Sequence, residues 1–207
     1  INGKNCISNF NFIIRKLKFE NIPAFKPEPY TASKKDGQGI ITNQLTNINF
    51  PGGSYKEFAT SYKQFTDKLL DDSRFGKIIQ NGDFIKKMIS LDPSASKFDI
   101  ATQIYNHFQH NLTTKIKNGY YSDKSGKNLF KEGFGNMADI NLNYIGALNE
   151  MGIKTYPVLL STRGYGIPHP VFPNYSKFNS VIAMSFIDDV LYFSDASSPE
   201  NQDGTWL

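Results

Sequence analysis

Only a handful of side chains in this chain of 207 residues can carry nucleophilic, acid–base or metal chemistry. The three histidines are His107, His110 and His169, and the one cysteine is Cys6. His107 and His110 stand three apart in a helix-patterned stretch, a spacing at which two imidazoles can share a metal ion. No acidic third ligand lies close by in sequence, so ordinary surface positions on a helix are the favoured reading and no metal is expected. His169 sits in Gly166-Ile167-Pro168-His169-Pro170. Loops between strands often rim clefts, which makes His169 a candidate base, while a surface histidine held between prolines is the plainer account. A single cysteine excludes an internal disulfide and a zinc site framed by cysteines. Cys6 reads as an unpaired thiol without a role.

The remaining candidate is informative for what it lacks. Gly135-Asn136-Met137-Ala138-Asp139 stands at the mouth of a strongly patterned helix. A helix N-terminus offers free N–H groups and a dipole that stabilise a thiolate. The thioether of Met137 has no proton to lose and cannot use that field. Methionine also fills irregular gaps in cores, so a packing role is the competing explanation. Asp139, in the first turn, is stabilised by the dipole without any function. Asp195 follows Tyr192-Phe193-Ser194 and precedes Ala196-Ser197-Ser198-Pro199; a strand-end aspartate that accepts from backbone N–H groups would look the same.

The elements that would position these residues follow from periodicity. Residues 1 to about 55 alternate apolar and polar. Phe10-Asn11-Phe12-Ile13-Ile14 and Gly39-Ile40-Ile41-Thr42 read as strands, Ile22 to Tyr30 as an extended, proline-rich connector, and Pro51-Gly52-Gly53 as a turn. Ser54-Tyr55-Lys56-Glu57 predicts the start of a helix that runs to about Asp71. A short helix is expected over Asp83–Ser90. A clearer one begins after Ser96, with Ile100, Ile104, Tyr105 and Phe108 at helical spacing. A polar stretch from Asn118 to Lys131 precedes the densest pattern, Ala138 to Met151, whose apolar face carries Ile140, Tyr144, Ile145, Ala147, Leu148 and Met151. Gly152 ends this helix as a residue free to take positive φ. Ile153–Thr162 reads as a buried strand, Arg163 to Tyr175 as a Gly/Pro-rich loop, and Phe178–Ile187 with Val190–Ser194 as a hairpin across Asp188-Asp189. Helices followed by antiparallel strands predict an α+β layer of helix on sheet.

Composition allows a sizeable core: apolar residues make up 39% and aromatics 14%. The net charge of +4, with a pI near 9.0, comes from lysines scattered among acids. That favours a solvated surface over a nucleic-acid partner, and no cofactor motif is present. No apolar run reaches the ~18 residues that span a membrane. The opening at Ile1 rather than Met reads as a piece of something longer, whose export signal would lie outside it.

Four segments together resemble the transglutaminase-like proteins, which share the papain-type cysteine-enzyme fold. They are Gly135-Asn136-Met137-Ala138-Asp139, Met151-Gly152-Ile153, Phe178-Asn179-Ser180-Val181-Ile182 and Tyr192-Phe193-Ser194-Asp195-Ala196. In that family a Cys stands in Gly-x-Cys-x-Asp at a helix start, a His in Asn-His-Val on the next strand but one, and an Asp in Leu-Asp-Ala on the strand after. The helix Ile100 to Phe108 is similar to the family's entry helix. The likeness covers roughly residues 96–200. It is nearest to bacterial members with an N-terminal β domain of uncharacterised function, which Ala138 to Leu142 and Pro157 to Arg163 also fit.

The resemblance implies a transglutaminase-like domain over 56–207, preceded at 1–55 by the last strands and linker of a β domain. It also implies degenerate triad positions at Met137, Ser180 and Asp195. A serine cannot do the work of the base near neutral pH, and Asp195 has no imidazole to orient. The expectation is a non-catalytic module that binds a peptide, protein or glycan, or acts as a scaffold, in a bacterial periplasm or at a cell surface. Asn136, Asp139, Arg163, His169, Tyr175 and Asn179 are the candidate cleft residues. Tyr165, Phe172 and Phe178 are aromatic neighbours that could bind a ligand or simply pack the loop. Two alternatives stand beside this: an active amide hydrolase whose site is rearranged around His169, and a purely structural domain.

Overall fold

The computed structural model describes residues 16–198, except 22, 25, 27–40, 42–44, 50, 51 and 93. Cys6, the strand expected over 10–14 and most of that expected over 39–42 lie outside the described residues, as does much of the connector over 22–30.

The chain is α+β: helices packed on an antiparallel sheet. A small hairpin opens the described chain, β1 (Asn47–Asn49) paired with β2 (Tyr55–Glu57). The helix expected from Ser54 therefore starts later. Tyr55 to Glu57 are taken by strand pairing with Asn47 to Asn49, and α1 spans Tyr62–Asp71 behind a better cap. Ser61 Oγ accepts from Gln64 N at 3.3 Å, satisfying one of the orphan N–H groups of the first turn. The boundary expected near residue 55 falls inside this hairpin.

Next come α2 (Gly76–Ile79), a 3₁₀ turn over Gly82–Lys87 and α3 (Lys97–Asn111). The short helix expected over 83–90 is thus the 3₁₀ turn, and Ser96 caps α3 as expected, its Oγ accepting from Asp99 N at 3.1 Å. Three short elements not expected from the sequence lie in and around the polar stretch: β3 (Thr113–Ile116) before it, α4 (Gly126–Glu132) largely within it and β4 (Phe134–Asn136) after it, with β3 and β4 parallel.

The centre of the molecule is α5 (Met137–Glu150). Every residue from Ala138 to Leu148 is buried, so the helix has no solvent face rather than one apolar face. The close approach of the 3₁₀ turn explains part of this. A Cβ built on Gly82 would stand 2.0 Å from the carbonyl oxygen of Gly146, so only glycine fits. Gly152 closes the helix at φ 75°, as the sequence predicts.

The sheet follows: β5 (Thr155–Leu160), β6 (Ser180–Ile187) and β7 (Val190–Ser194), in the order β5-β6-β7, all antiparallel. Leu160 pairs with Ser180 and Ala183 with Ser194. The expected Asp188-Asp189 turn joins β6 to β7, with positive φ at both residues, 49° and 62°, the geometry a two-residue hairpin loop needs. The fully buried Val181 and Ala183 of β6 join the helices in one core with Ile140, Tyr144, Ile145 and Leu148. Among the described residues, no helix is long and apolar enough to cross a membrane.

Candidate functional site

The N-terminus of α5 is built by reciprocal capping. Asn136 Oδ1 accepts from Asp139 N at 2.7 Å, and Asp139 Oδ2 accepts from Asn136 N at 2.7 Å. The other oxygen of Asp139 accepts from Ser122 Oγ at 2.8 Å, Asp123 N at 2.7 Å and Lys124 N at 3.0 Å. A carboxylate that is only 2% exposed is tolerated because four donors and the positive end of the helix compensate it. Gly135 is required here, since a Cβ would meet Leu129 Cδ1 at 2.7 Å and Asp139 Cβ at 2.8 Å. Asn136 also donates through Nδ2 to Tyr121 O at 3.3 Å. Both residues are thus spent on shaping the helix mouth.

Met137 is the first residue of α5, and β6 brings Ser180 to it. Ser180 Oγ donates to Met137 Sδ at 3.0 Å. Ser180 is 3% exposed and Met137 half-buried. Thioether sulfur is a weak acceptor, so this contact orders two side chains and moves no proton.

Asp195 stands just past β7 and does not bond Ser180. Its Oδ1 accepts from Asn141 Nδ2 at 2.8 Å, Ser197 N at 2.9 Å and Ser197 Oγ at 2.6 Å. Asn141 lies one helical turn along α5 from Met137. It also donates to Val181 O at 2.8 Å and accepts from Ala196 N at 2.8 Å. One buried amide therefore ties α5 to the start of β6 and to the chain after β7. Gln109 Nε2 of α3 donates to Ala196 O at 3.0 Å and to Ser198 O at 2.9 Å, and Thr114 Oγ1 of β3 donates to Ser197 O. Asn141, Gln109 and Ser197 are not foreseen as site residues in the sequence. A polar Asn inside an otherwise apolar helix pattern was the available signal, because a buried amide must find partners.

The other expected cleft residues disperse. Asn179 turns to Thr162, accepting from its N at 2.8 Å and donating to its Oγ1 at 2.7 Å. Tyr175 packs its ring 4.5 Å from that of Phe65, and its carbonyl accepts from Tyr120 Oη at 3.0 Å. Burial pushes the Tyr175 phenol up from its usual range. Arg163 is exposed after β5 and makes no ion pair among the described residues. His169 is exposed, and its Nδ1 accepts from Val171 N and Phe172 N, each at 3.1 Å. Among the described residues its ring bonds no hydroxyl or carboxylate, the contact a site rearranged around it would need.

His107 and His110 do not converge. His110 Nδ1 bonds Asn106 O at 2.6 Å, whereas His107 stacks on Phe130 at 5.1 Å. Burial holds the His107 imidazole below its usual value. Among the described residues, no three His, Cys, Asp or Glu side chains gather as a metal site would require.

Of the loop aromatics, Tyr165 and Phe172 are exposed and Phe178 packs 5.6 Å from Phe65. Phe178 lines an apolar cavity of about 250 Å³ between α1 and β5, with Tyr62, Phe65, Leu69, Phe75 and Leu159. Met137, Ser180 and Asp195 are not part of it.

No protein-family model matches this chain, and no curated protein matches it. A crystal structure of a candidate protease from Parabacteroides distasonis superposes with a TM-score of 0.48 at 14% identity, covering 74% of this chain. The chain spans 30% of that protein's length.

Proposed function

We propose that this chain contains a catalytically inactive transglutaminase-like domain that serves as a binding or scaffolding module. The observation that carries the reading is the pair Met137 and Ser180, in contact at 3.0 Å at the mouth of α5. In the resembled family those two positions hold the thiol nucleophile and its imidazole base. A thioether and a primary alcohol cannot form a thiolate–imidazolium pair, so the acyl-transfer step has no starting point. Further support comes from Asp195, whose carboxylate is committed to Asn141 and Ser197 rather than to a base. The ligand class consistent with this reading is a peptide, protein or glycan, and the setting is a bacterial periplasm or cell surface.

The test is an assay for amide hydrolysis and amine incorporation over a broad peptide panel. No turnover above buffer is the expected result. Turnover that survives exhaustive purification and disappears in Asp195→Ala would defeat the reading.

A further inference from the structure

The strongest unassigned feature is a lysine pair beside the helix mouth. Residues 113–134 hold Lys115, Lys117, Lys124, Lys127 and Lys131 against only Asp123 and Glu132, a net +3 out of the chain's +4. Two of these lysines share one ring. Lys115 Nζ is 3.2 Å and Lys124 Nζ 4.0 Å from the centroid of Phe134, which caps the separation of the two ammoniums at 7.2 Å. Lys124 is neutralised, with Glu132 Oε2 at 2.6 Å and Phe134 O at 2.9 Å. The Lys115 ammonium has no carboxylate partner among the described residues. The ring holds an uncompensated cation next to a second one, which leaves a place for an anion.

The backbone around this pair narrows the ligand. Phe134 opens β4, which runs directly into Asn136 and Met137. β3 pairs with β4 on one edge only, and among the described residues no strand lies on its other edge. Thr113, Lys115 and Ile116 of β3 are exposed, as is Lys117 just beyond it, and the ladder with β4 is irregular between Thr114 and Ile116. Lysine on an edge ordinarily keeps foreign strands away. An incoming strand that alternates carboxylates with apolar residues reverses that effect, placing a carboxylate on Lys115 and an aliphatic group on Ile116 while its amides pair with β3. A polysaccharide or nucleic acid can answer the charge but has no strand backbone to lay along an edge.

We infer that the edge of β3 opposite β4, open among the described residues and beside Lys115, docks an extended acidic peptide segment. This deepens the binding-module reading by naming its ligand class and the strand that receives it.

Fluorescence anisotropy tests it with a short dye-labelled peptide alternating Glu and Val. Expected is saturable binding that weakens about threefold to fivefold in Lys115→Gln and falls as salt is raised. Lys154→Gln, a lysine over the Tyr156 and Phe186 rings of the other sheet, should leave it unchanged. Methylating alternate backbone nitrogens of the peptide should abolish binding. Absence of saturable binding, indifference to Lys115→Gln, undiminished binding of the methylated peptide, or equal Lys115-dependent binding of polygalacturonate would each overturn the proposal. Amide turnover in the separate assay would remove the inactive-domain reading and leave the Lys115 result standing.

Discussion

Asn141 on α5 and Asp195 beyond β7, 54 residues apart in sequence, are joined by a hydrogen bond of 2.8 Å. The same amide accepts from Ala196 N and donates to Val181 O. Removing it leaves the Val181 carbonyl and the Ala196 N–H without this partner in the interior and takes one donor from the Asp195 carboxylate, which keeps Ser197 N and Oγ. Asn141→Ala is expected to lower unfolding stability by about 2–4 kcal/mol, as loss of a buried hydrogen-bond node does; urea denaturation measures it. Asn141→Asp sets two carboxylates side by side. Its deficit relative to the parent chain should be large at neutral pH and shrink as acid protonates one of the pair.

His107 gives the chain a pH dependence of definite sign. Burial lowers its folded-state pKa below 6.5, so the unfolded chain takes up the proton more readily. The contribution is fully present above 6.5 and is lost as pH falls through that value toward the folded pKa. Phe130, stacked on the ring, is the neighbour that keeps water away. Urea midpoints compared at mildly acidic and neutral pH should show a decline toward acid that His107→Gln reduces.

Gly82→Ala should cost about 2 kcal/mol or more, because the new methyl would meet the Gly146 carbonyl at 2.0 Å and neither backbone can move freely. Gly52→Ala, where no atom lies within 4 Å but φ is +68°, should cost only about 1 kcal/mol of backbone strain. Thermal or urea unfolding of the two variants separates packing from conformation.

Met137→Cys with Ser180→His should produce a thiol that ionises below its usual range, since the first turn of α5 and a nearby imidazole both favour thiolate. The rate of iodoacetamide alkylation against pH reads this directly. An unshifted profile would mean that the 3.0 Å contact between the two positions does not carry over to the new pair.

What the sequence made legible depended on how much each element relied on its own pattern. α3 behind Ser96, α5 up to Gly152 and the Asp188-Asp189 hairpin declare themselves through a cap, a left-handed terminator and a two-residue turn. β2, β3, α4 and β4 were not legible, because three- to seven-residue pieces are too short to show a period of their own and depend on their partners, near for β2 and about twenty residues away for β3 and β4. The same holds within the site. Met137 and Ser180 could be placed together from flanking motifs, whereas Asn179 and Tyr175, expected to face a ligand, are consumed by Thr162 and Phe65. Only three-dimensional contacts reveal that a polar side chain already has an occupation.

The enclosure of α5 has one more effect. From Ala138 to Leu148 each side chain answers to neighbours on every side, and the turn before it is fixed by Gly135, Asn136 and Asp139. Architecture alone is therefore enough to preserve the shape of this doorway, whichever atom stands in it.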